Sequence, residues 1–360
     1  MGLINELMKG LQFVPRIYRD KERKPVFKIL KEAASLTFRY KTFPAHYISR
    51  HLYKKEINNI NDYIPNNVLR SLDNKINDPG ASHILSNKLF LYLHYGKFFK
   101  NLAKILMYNH KDAFIVHDEY FKINSTQEFE SLLTDLITNK SASKSVFIKK
   151  TYDSHGGANT YRIHEKDIPL KKAFIEELFS EVKKSAYLFQ ETIIQHPEMD
   201  RINPSCVNTL RMDTFIDKEG NVELIAPYLR MSTSNLHVDN TSSGGCCVGI
   251  NLDTGRLKKY GYTSITKTGG KILTAHPFTK VEFLNFEIPC FNEAKQFVLQ
   301  VASLVPNLRL IGWDIAITES GPVLIEGNLQ YDITNHDLTY GGYKTNPVFK
   351  KVLQEFNIHV

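Results

Sequence analysis

Residues 309–328 read RLIGWDIAITESGPVLIEGN. Two apolar runs flank Glu319-Ser320-Gly321, and a glycine where a tight reversal wants positive φ makes a β-hairpin the natural reading. If the turn centres on Ser320, Asp314 and Glu326 face each other across the two strands. Side chains alternate faces along a strand, so Asn328 points the same way as Glu326. Two carboxylates and an amide oxygen then converge on one face. Like charges so placed repel, and each is costly to bury. A hard cation held by oxygen ligands resolves the conflict, and Mg2+ with bound phosphate is the usual solution. An acidic pair facing solvent on an edge hairpin is the plainer alternative, against which stand the flanking Leu, Ile, Val and Trp residues.

Two stretches upstream carry further chemistry. SVFIKKTYDSHGGANTYRI (145–163) reads as strand, glycine-containing loop and strand. It lacks the GxxxxGK[ST] pattern of a Walker loop, yet a flexible Gly-Gly loop can fold over phosphates and offer them backbone N–H groups. A lysine leaving the first strand could meet phosphate oxygens. The second stretch, YLFQETIIQHPEM (187–199), is an apolar strand ending at Glu191. Such a strand-to-loop hinge can present backbone groups to adenine and a carboxylate to ribose. Alone, each has a bland explanation in an ordinary hairpin or a buried strand.

In this order the three resemble the ATP-grasp superfamily, and more closely its sugar-transfer-associated branch, found with surface-polysaccharide gene sets. The resemblance rests on Phe147-Ile148-Lys149 with the following HGG loop, on QETIIQHPEMDRINPSCVNTLR, on APYLRMSTSNLHVDNTSSGG, and on GWDIAITESGPVLIEGN. It covers residues 84–330 well and residues 1–80 loosely. It implies ATP and Mg2+ as cofactors, with Asp314, Glu326 and Asn328 holding Mg2+ against the phosphates. It implies that Lys149 meets the α/β-phosphates, with Lys88 a candidate for the first nucleotide lysine. The loop from Asp153 to Asn159, containing His155, Gly156 and Gly157, would close over them. Glu191, Thr192, Ile193 and Ile194 would take the adenine, with the Glu191 carboxylate or a nearby polar group on ribose. Arg211 and Arg230 suit a γ-phosphate or acyl-phosphate, since guanidinium binds such oxygens bidentately. Asn240 with Gly244-Gly245 would form a loop near the reacting centre. The family often has proline after the strand lysine. Here Lys150 follows, so either lysine could carry the role, and alternation puts them on opposite faces. His155, His196 and His336 read as structural rather than as general bases.

The rest of the chain bounds this reading. Its 360 residues are 42% hydrophobic and 23% charged, the balance of a globular protein of two or three domains. No stretch approaches the ~18–20 apolar residues of a membrane span. The N-terminus is too charged for a secretory signal, and four cysteines without a CxxC pair argue against disulfides or zinc, so a cytoplasmic protein is expected. Residues 1–60 hold 13 basic and 5 acidic residues, an excess equal to the whole chain's +8, while the other 300 balance. That segment could be a solvated helical face, or could meet an anionic membrane surface or lipid-linked glycan at the inner face of the membrane. Nucleic acid is not expected, because no recognition motif appears.

Helical spacing runs over 26–57, broken at Pro44, and again over 84–108 with Ser86 or Asn87 as cap. Thereafter helices alternate with hairpins, and TQEFESLLTDLITNK has Ser125 or Thr126 to cap it. The fold class is therefore α+β. Expected divisions are a helical basic region (1–110), a small lid subdomain (111–195) and a C-terminal subdomain with the Mg2+/phosphate site (196–360), the last two clasping ATP. The implied activity is an ATP-dependent carboxylate–amine ligase acting through an acyl-phosphate. Its substrates would be a small-molecule or sugar-linked carboxylate and an amine, in capsule or O-antigen assembly. A kinase on the same scaffold and a non-catalytic nucleotide-binding module are the alternatives.

Overall fold

The computed structural model describes residues 12–152, 160–234, 239, 241–265, 267–305 and 307–358. Among these residues six helices come first: α1 (Val14–Arg19), α2 (Val26–Tyr40), α3 (Ala45–Ser49), α4 (Asn66–Ile76), α5 (His83–Ser86) and α6 (Lys88–Tyr95). Pro44 separates α2 from α3, as its missing N–H and fixed φ require. Asn87 caps α6, its side chain accepting from Leu89 N–H at 2.9 Å.

The helical reading of 84–108 fails beyond Gly96. Residues 101–103 instead run beside the hairpin of residues 310–328, with Leu324 N–H donating to Asn101 O at 2.9 Å. The chain then enters strand β1 (Ile105–His110). A short apolar run such as Ile-Leu-Met-Tyr fits strand and helix equally by periodicity, and tertiary pairing decides. The smaller sheet thus begins at Ile105, inside the stretch assigned to the helical region.

That sheet continues with β2 (Ala113–Val116), β3 (Glu119–Lys122), β4 (Ser145–Lys150), β5 (Tyr161–His164) and β6 (Tyr187–Glu191), in the order β3-β2-β1-β6-β4-β5. Helices α7 (Thr126–Asp135) and α8 (Lys172–Lys184) pack on one face over a core including Phe114, Phe129, Phe179 and Phe189. Ser125 opens α7 with a capping box: its hydroxyl accepts from Glu128 N–H at 3.2 Å, and Glu128 returns a bond to Ser125 N–H.

After α9 (Pro197–Ile202) come the strands of the larger sheet. They are β7 (Thr209–Ile216), β8 (Val222–Leu224), β9 (Tyr228–Met231), β10 (Cys246–Ile250), β11 (Leu257–Thr263), β12 (Ile272–Leu273), β13 (Leu310–Thr318) and β14 (Gly321–Asn328). Their order is β12-β11-β10-β9-β7-β13-β14, with β8 on β7. Every ladder between named strands in both sheets is antiparallel, as the α+β reading requires. Helix α10 (Phe291–Ser303) packs on the larger sheet, and α11 (Thr334–Tyr340) and α12 (Pro347–Glu355) close the chain. Among the described residues no helix is long and apolar enough to cross a membrane.

Candidate active site

The β13–β14 hairpin pairs Asp314 with Glu326, but not with the turn expected. Thr318 pairs with Gly321, so the reversal is the two residues Glu319-Ser320, with Gly321 at φ +101°. That turn alone would set Asp314 one residue out of step with Glu326. A bulge between the Asp314 and Ile315 pairs absorbs Ile325 and restores the pairing. Asn328 shares the face: its Nδ2 lies 3.3 Å from Glu326 Oε1 and 3.4 Å from Asp314 Oδ2.

Three cations meet these carboxylates. Strand β7 lies on the other side of β13 and sets Arg211 directly opposite Asp314. Arg211 Nε donates to Asp314 Oδ1 at 2.6 Å, and Arg230 from β9 reaches Oδ2 at 2.8 Å. Burial alone would raise the Asp314 carboxyl; Arg211 and then Arg230 outweigh it and hold it well below the usual carboxylate range. Lys88 stands 3.6 Å from Glu326, and its backbone N–H is tied to Thr151 O, just past β4.

Gly312 makes room for this arrangement. A Cβ there would come within 2.9 Å of both the Arg211 guanidinium and Asp213 Oδ1. Behind Arg211 lies a layer that the sequence reading did not find. Asp213 is fully buried with His336 Nε2 at 2.7 Å from its Oδ2, while the Tyr331 and Tyr343 hydroxyls bond each other at 2.8 Å. The next residue of α11, Asp337, forms a buried ion pair with Arg50, which also donates to Asn66 at 2.9 Å. The helical N-terminal segment is thereby bolted to the larger sheet. No local motif marks Arg50; only the fold brings it 287 residues along the chain to Asp337.

A cleft of about 1360 Å³ opens over this face. Lys88, Arg211, Arg230, Glu326 and Asn328 line it, together with Ser49, Asn66 and Arg70 from the N-terminal helices. Glu326, partly open to solvent, and Asp314 are hard oxygen ligands, and the Asn328 amide, whose Nδ2 faces both carboxylates here, would add its oxygen on turning over. That set fits Mg2+, which takes one or two carboxylates and completes its shell with water and phosphate. Among the described residues no group of three or more His, Cys, Asp and Glu forms a fuller protein cage.

The sequence matches the sugar-transfer-associated ATP-grasp family over residues 67–352. The chain belongs to that family. Solved structures with a similar course include the ATP-grasp ligase PsnB complexed with minimal precursor, Mg and ADP, at 15% identity and TM-score 0.41, covering 78% of this chain and 62% of that one. D-alanyl-alanine synthetase A from Vibrio cholerae O1 biovar eltor is similar at 12% identity and TM-score 0.43, covering 78% and 68%. Biotin carboxylase from Campylobacter jejuni is similar at 9% identity and TM-score 0.43, covering 78% and 48%. The chain thus spans less than two thirds of the first of these. No curated protein matches it.

In this ATP-grasp chain the ladder between β4 and β6 sorts the lysines by face. Val146 pairs with Glu191, Ile148 with Phe189 and Lys150 with Tyr187, so all six share the face that packs on α7 and α8. Phe147, Lys149, Leu188 and Gln190 point the other way. Lys149 is buried and feels the charges of Glu326, Lys88 and Asp314, whereas Lys150 sits on the side of Glu181. Burial lowers the Lys149 ammonium to about 8, Glu326 pulling it back up and Lys88 pushing it further down.

The same register puts the Glu191 side chain opposite to the Lys149 face. Its Oε1 accepts from Ser143 N–H at 2.8 Å, and Lys104 lies 4.0 Å from Oε2. The carboxylate is thus engaged with the loop before β4 on the helix side. Thr192 N–H donates to Ser145 O at 3.2 Å, and Ile194 is exposed. The link between the sheets is set by a buried amide knot that the sequence reading missed. Gln195 Nε2 donates to Asn203 O and Cys206 O, each at 3.0 Å, and Gln195 Oε1 accepts from Asn208 N–H at 2.9 Å. His196 caps α9 through Nδ1, accepting from Glu198 N–H at 3.1 Å. His155, Gly156, Gly157 and Asn240 lie outside the described residues.

Proposed function

We propose that this ATP-grasp protein is an ATP- and Mg2+-dependent carboxylate–amine ligase. Its reaction would transfer the γ-phosphoryl group of ATP to a substrate carboxylate. An amine would then attack the acyl carbon, form the amide bond and expel phosphate, leaving ADP. The observation that carries the reading is the joining of Glu326 and Asn328 with Arg211, Arg230 and Lys88 at one cleft, with Asp314 buried against both arginines just beneath it. Bound Mg2+ would neutralise phosphate charge. The chain's own residues supply the rest by positioning and electrostatics. Lys149 is the lysine proposed for the α/β-phosphates, since it and not Lys150 faces Glu326. Arg211 and Arg230 would offer guanidinium N–H groups to the transferred phosphoryl group. The backbone of Thr192 to Ile194 would take the adenine, and no ribose role is assigned to the Glu191 carboxylate.

The substrate is inferred to be sugar-linked, a sugar acid joined to an amino acid in surface-polysaccharide assembly. The family match supports this, and so does the cleft lining. Hydroxyl and amide side chains such as Ser49, Asn66, Asn74, Ser82 and Asn335 recur along it. Such groups pair well with polyhydroxylated ligands, and the cleft exceeds the ~300–1,000 Å³ of common small-molecule sites.

The test is release of ADP and phosphate from Mg-ATP across a matrix of sugar acids and amino acids, beside Glu326→Gln, with product masses. Release that needs both substrates, an amide product and loss in the variant are expected. Substrate-dependent ADP without free phosphate, with a phosphorylated product, would make the protein a kinase. Tight Mg-ATP binding with no turnover on any pair would favour the nucleotide-binding module.

A further inference from the structure

The N-terminal excess of charge sits beside an apolar surface that the cleft does not use. Helix α2 carries two apolar faces. On its inner side Ile29, Leu36 and Tyr40 pack with Tyr47, Leu52, Tyr63 and Ile265. On the other side Phe27, Leu30, Ala34 and Phe38 recur at helical spacing and form a second stripe. That stripe faces solvent: Phe27 is 74% exposed, Leu30 64% and Phe38 89%. Among the described residues the three most exposed large apolar side chains are Phe38, Phe27 and Tyr18, all within 21 residues of one another. Isolated exposed apolar residues need no explanation, but a stripe of them on one helix does.

The helix is held firmly enough to present that face. Glu32 on α2 accepts from Lys24 Nζ and from the Tyr47 hydroxyl, each at 2.7 Å, and Lys24 also donates to Leu52 O at 2.7 Å. Glu32, the one acid of α2, is turned inward by these bonds, while Lys31 and Arg39 are exposed beside the stripe. Arg19, Lys21 and Lys41 add exposed positive charge nearby in the chain. An apolar stripe edged by cations is the form that lies in the plane of an anionic bilayer surface, its apolar side chains entering the headgroup–acyl boundary.

We infer that the outer face of α2 docks on an anionic lipid surface. Docking there would bring the cleft close to the bilayer. Ser49 of α3 and Ile265 both line the cleft, and Ile265 belongs to the cluster on which α2 packs. A lipid-anchored substrate would then meet the cleft without leaving the membrane. This inference stands apart from the ligase reading, since none of its residues belongs to the site.

The test is flotation of the full chain with phosphatidylglycerol-rich phosphatidylcholine vesicles and with phosphatidylcholine alone. Binding to the anionic vesicles is expected, weakened by salt. The Phe27→Ser/Leu30→Ser/Phe38→Ser variant should bind them about a hundredfold more weakly. Lys31→Glu should cost a few-fold, through charge alone. The thermal unfolding midpoint should stay put in both variants, because the altered side chains are exposed, and nucleotide binding should be unchanged. Equal binding by wild type and triple variant would overturn the inference. So would absence of binding to either vesicle, or a stripe that instead mediates self-association abolished by the triple variant.

Discussion

The two sheets bring charge to the cleft in opposite ways. The larger sheet presents a finished network in which Asp314 is clasped by Arg211 and Arg230 and backed by Asp213 and His336. The smaller sheet presents Lys149, buried but without an ion-pair partner among the described residues. One side is organised before any ligand arrives. The other keeps a cation desolvated until an anion comes to it. For the proposed phosphoryl transfer this division would be sensible: preorganised dipoles cost nothing at the moment of reaction, while a desolvated lysine would couple its full charge to an arriving phosphate.

The largest effect should come from Asp314→Asn, which breaks the finished side. It leaves two buried guanidinium groups without their counter-charge, and removing one partner of such a network costs roughly 3–5 kcal/mol of stability. Turnover should fall as well, by about a hundredfold or more. Glu326→Gln gives the contrast. Glu326 is partly exposed and lies 3.6 Å from Lys88, so turnover should fall comparably with little change in the unfolding midpoint. Chemical denaturation of both variants checks the difference. Equal stability losses would mean that the larger sheet is not prelocked by its arginines.

Arg50→Ala asks how far the locking extends. Asp337 would be left buried and unpaired on α11, whose neighbour His336 backs Asp213. A loss of about 3 kcal/mol is expected. Double-mutant cycles between Arg50 and Arg211, read on nucleotide affinity, would show whether α11 carries the coupling. Additivity within about 0.5 kcal/mol would confine Arg50 to holding the helices.

How legible this was depended on range. Asp314, Glu326 and Asn328 stood out because a hairpin is local and alternation fixes its faces, although the bulge at Ile325 was invisible and the turn was misplaced by half a residue. Arg211 and Arg230 were found through the family resemblance, and the structure brings both to Asp314. Seeing that Lys149 and not Lys150 lies on the side of Glu326 needed the β4–β6 register, which no single segment contains. The same register moved the Glu191 carboxylate to the helix side. Strand β1 was read as helix because its apolar run has no period of its own. His336 was read as structural but without its partner, and nothing in the sequence marks Asp213 or Arg50; all three are buried because distant segments cover one another.

The smaller sheet's lysine can be tested by pH. Lys149 holds its proton below about 8 and loses it above, whereas an ordinary lysine would keep it to about 10.5. If Lys149 meets the phosphates as proposed, nucleotide affinity should be full at neutral pH and fall up to about tenfold per pH unit above 8. Binding in that range should also take up a proton, visible by calorimetry in buffers of different ionisation enthalpy. Lys149→Met should bind about tenfold more weakly at neutral pH and flatten the alkaline fall. A wild-type profile flat to pH 10 would show that the larger sheet's charges, not burial, govern this lysine.

The smallest effect tests whether the sheets can be perturbed separately. Ser125→Ala removes one half of the capping box of α7, far in chain and packing from Asp314. It should cost about 1 kcal/mol. If the smaller sheet is an adjustable partner to a rigid one, that loss stays local. Amide exchange should quicken in α7 and in the strands it covers, while β7, β13 and β14 keep their protection. Exchange rising equally in both sheets would mean that the two unfold as one unit. The contrast between a locked and an adjustable side would then hold for charge alone and not for mechanics.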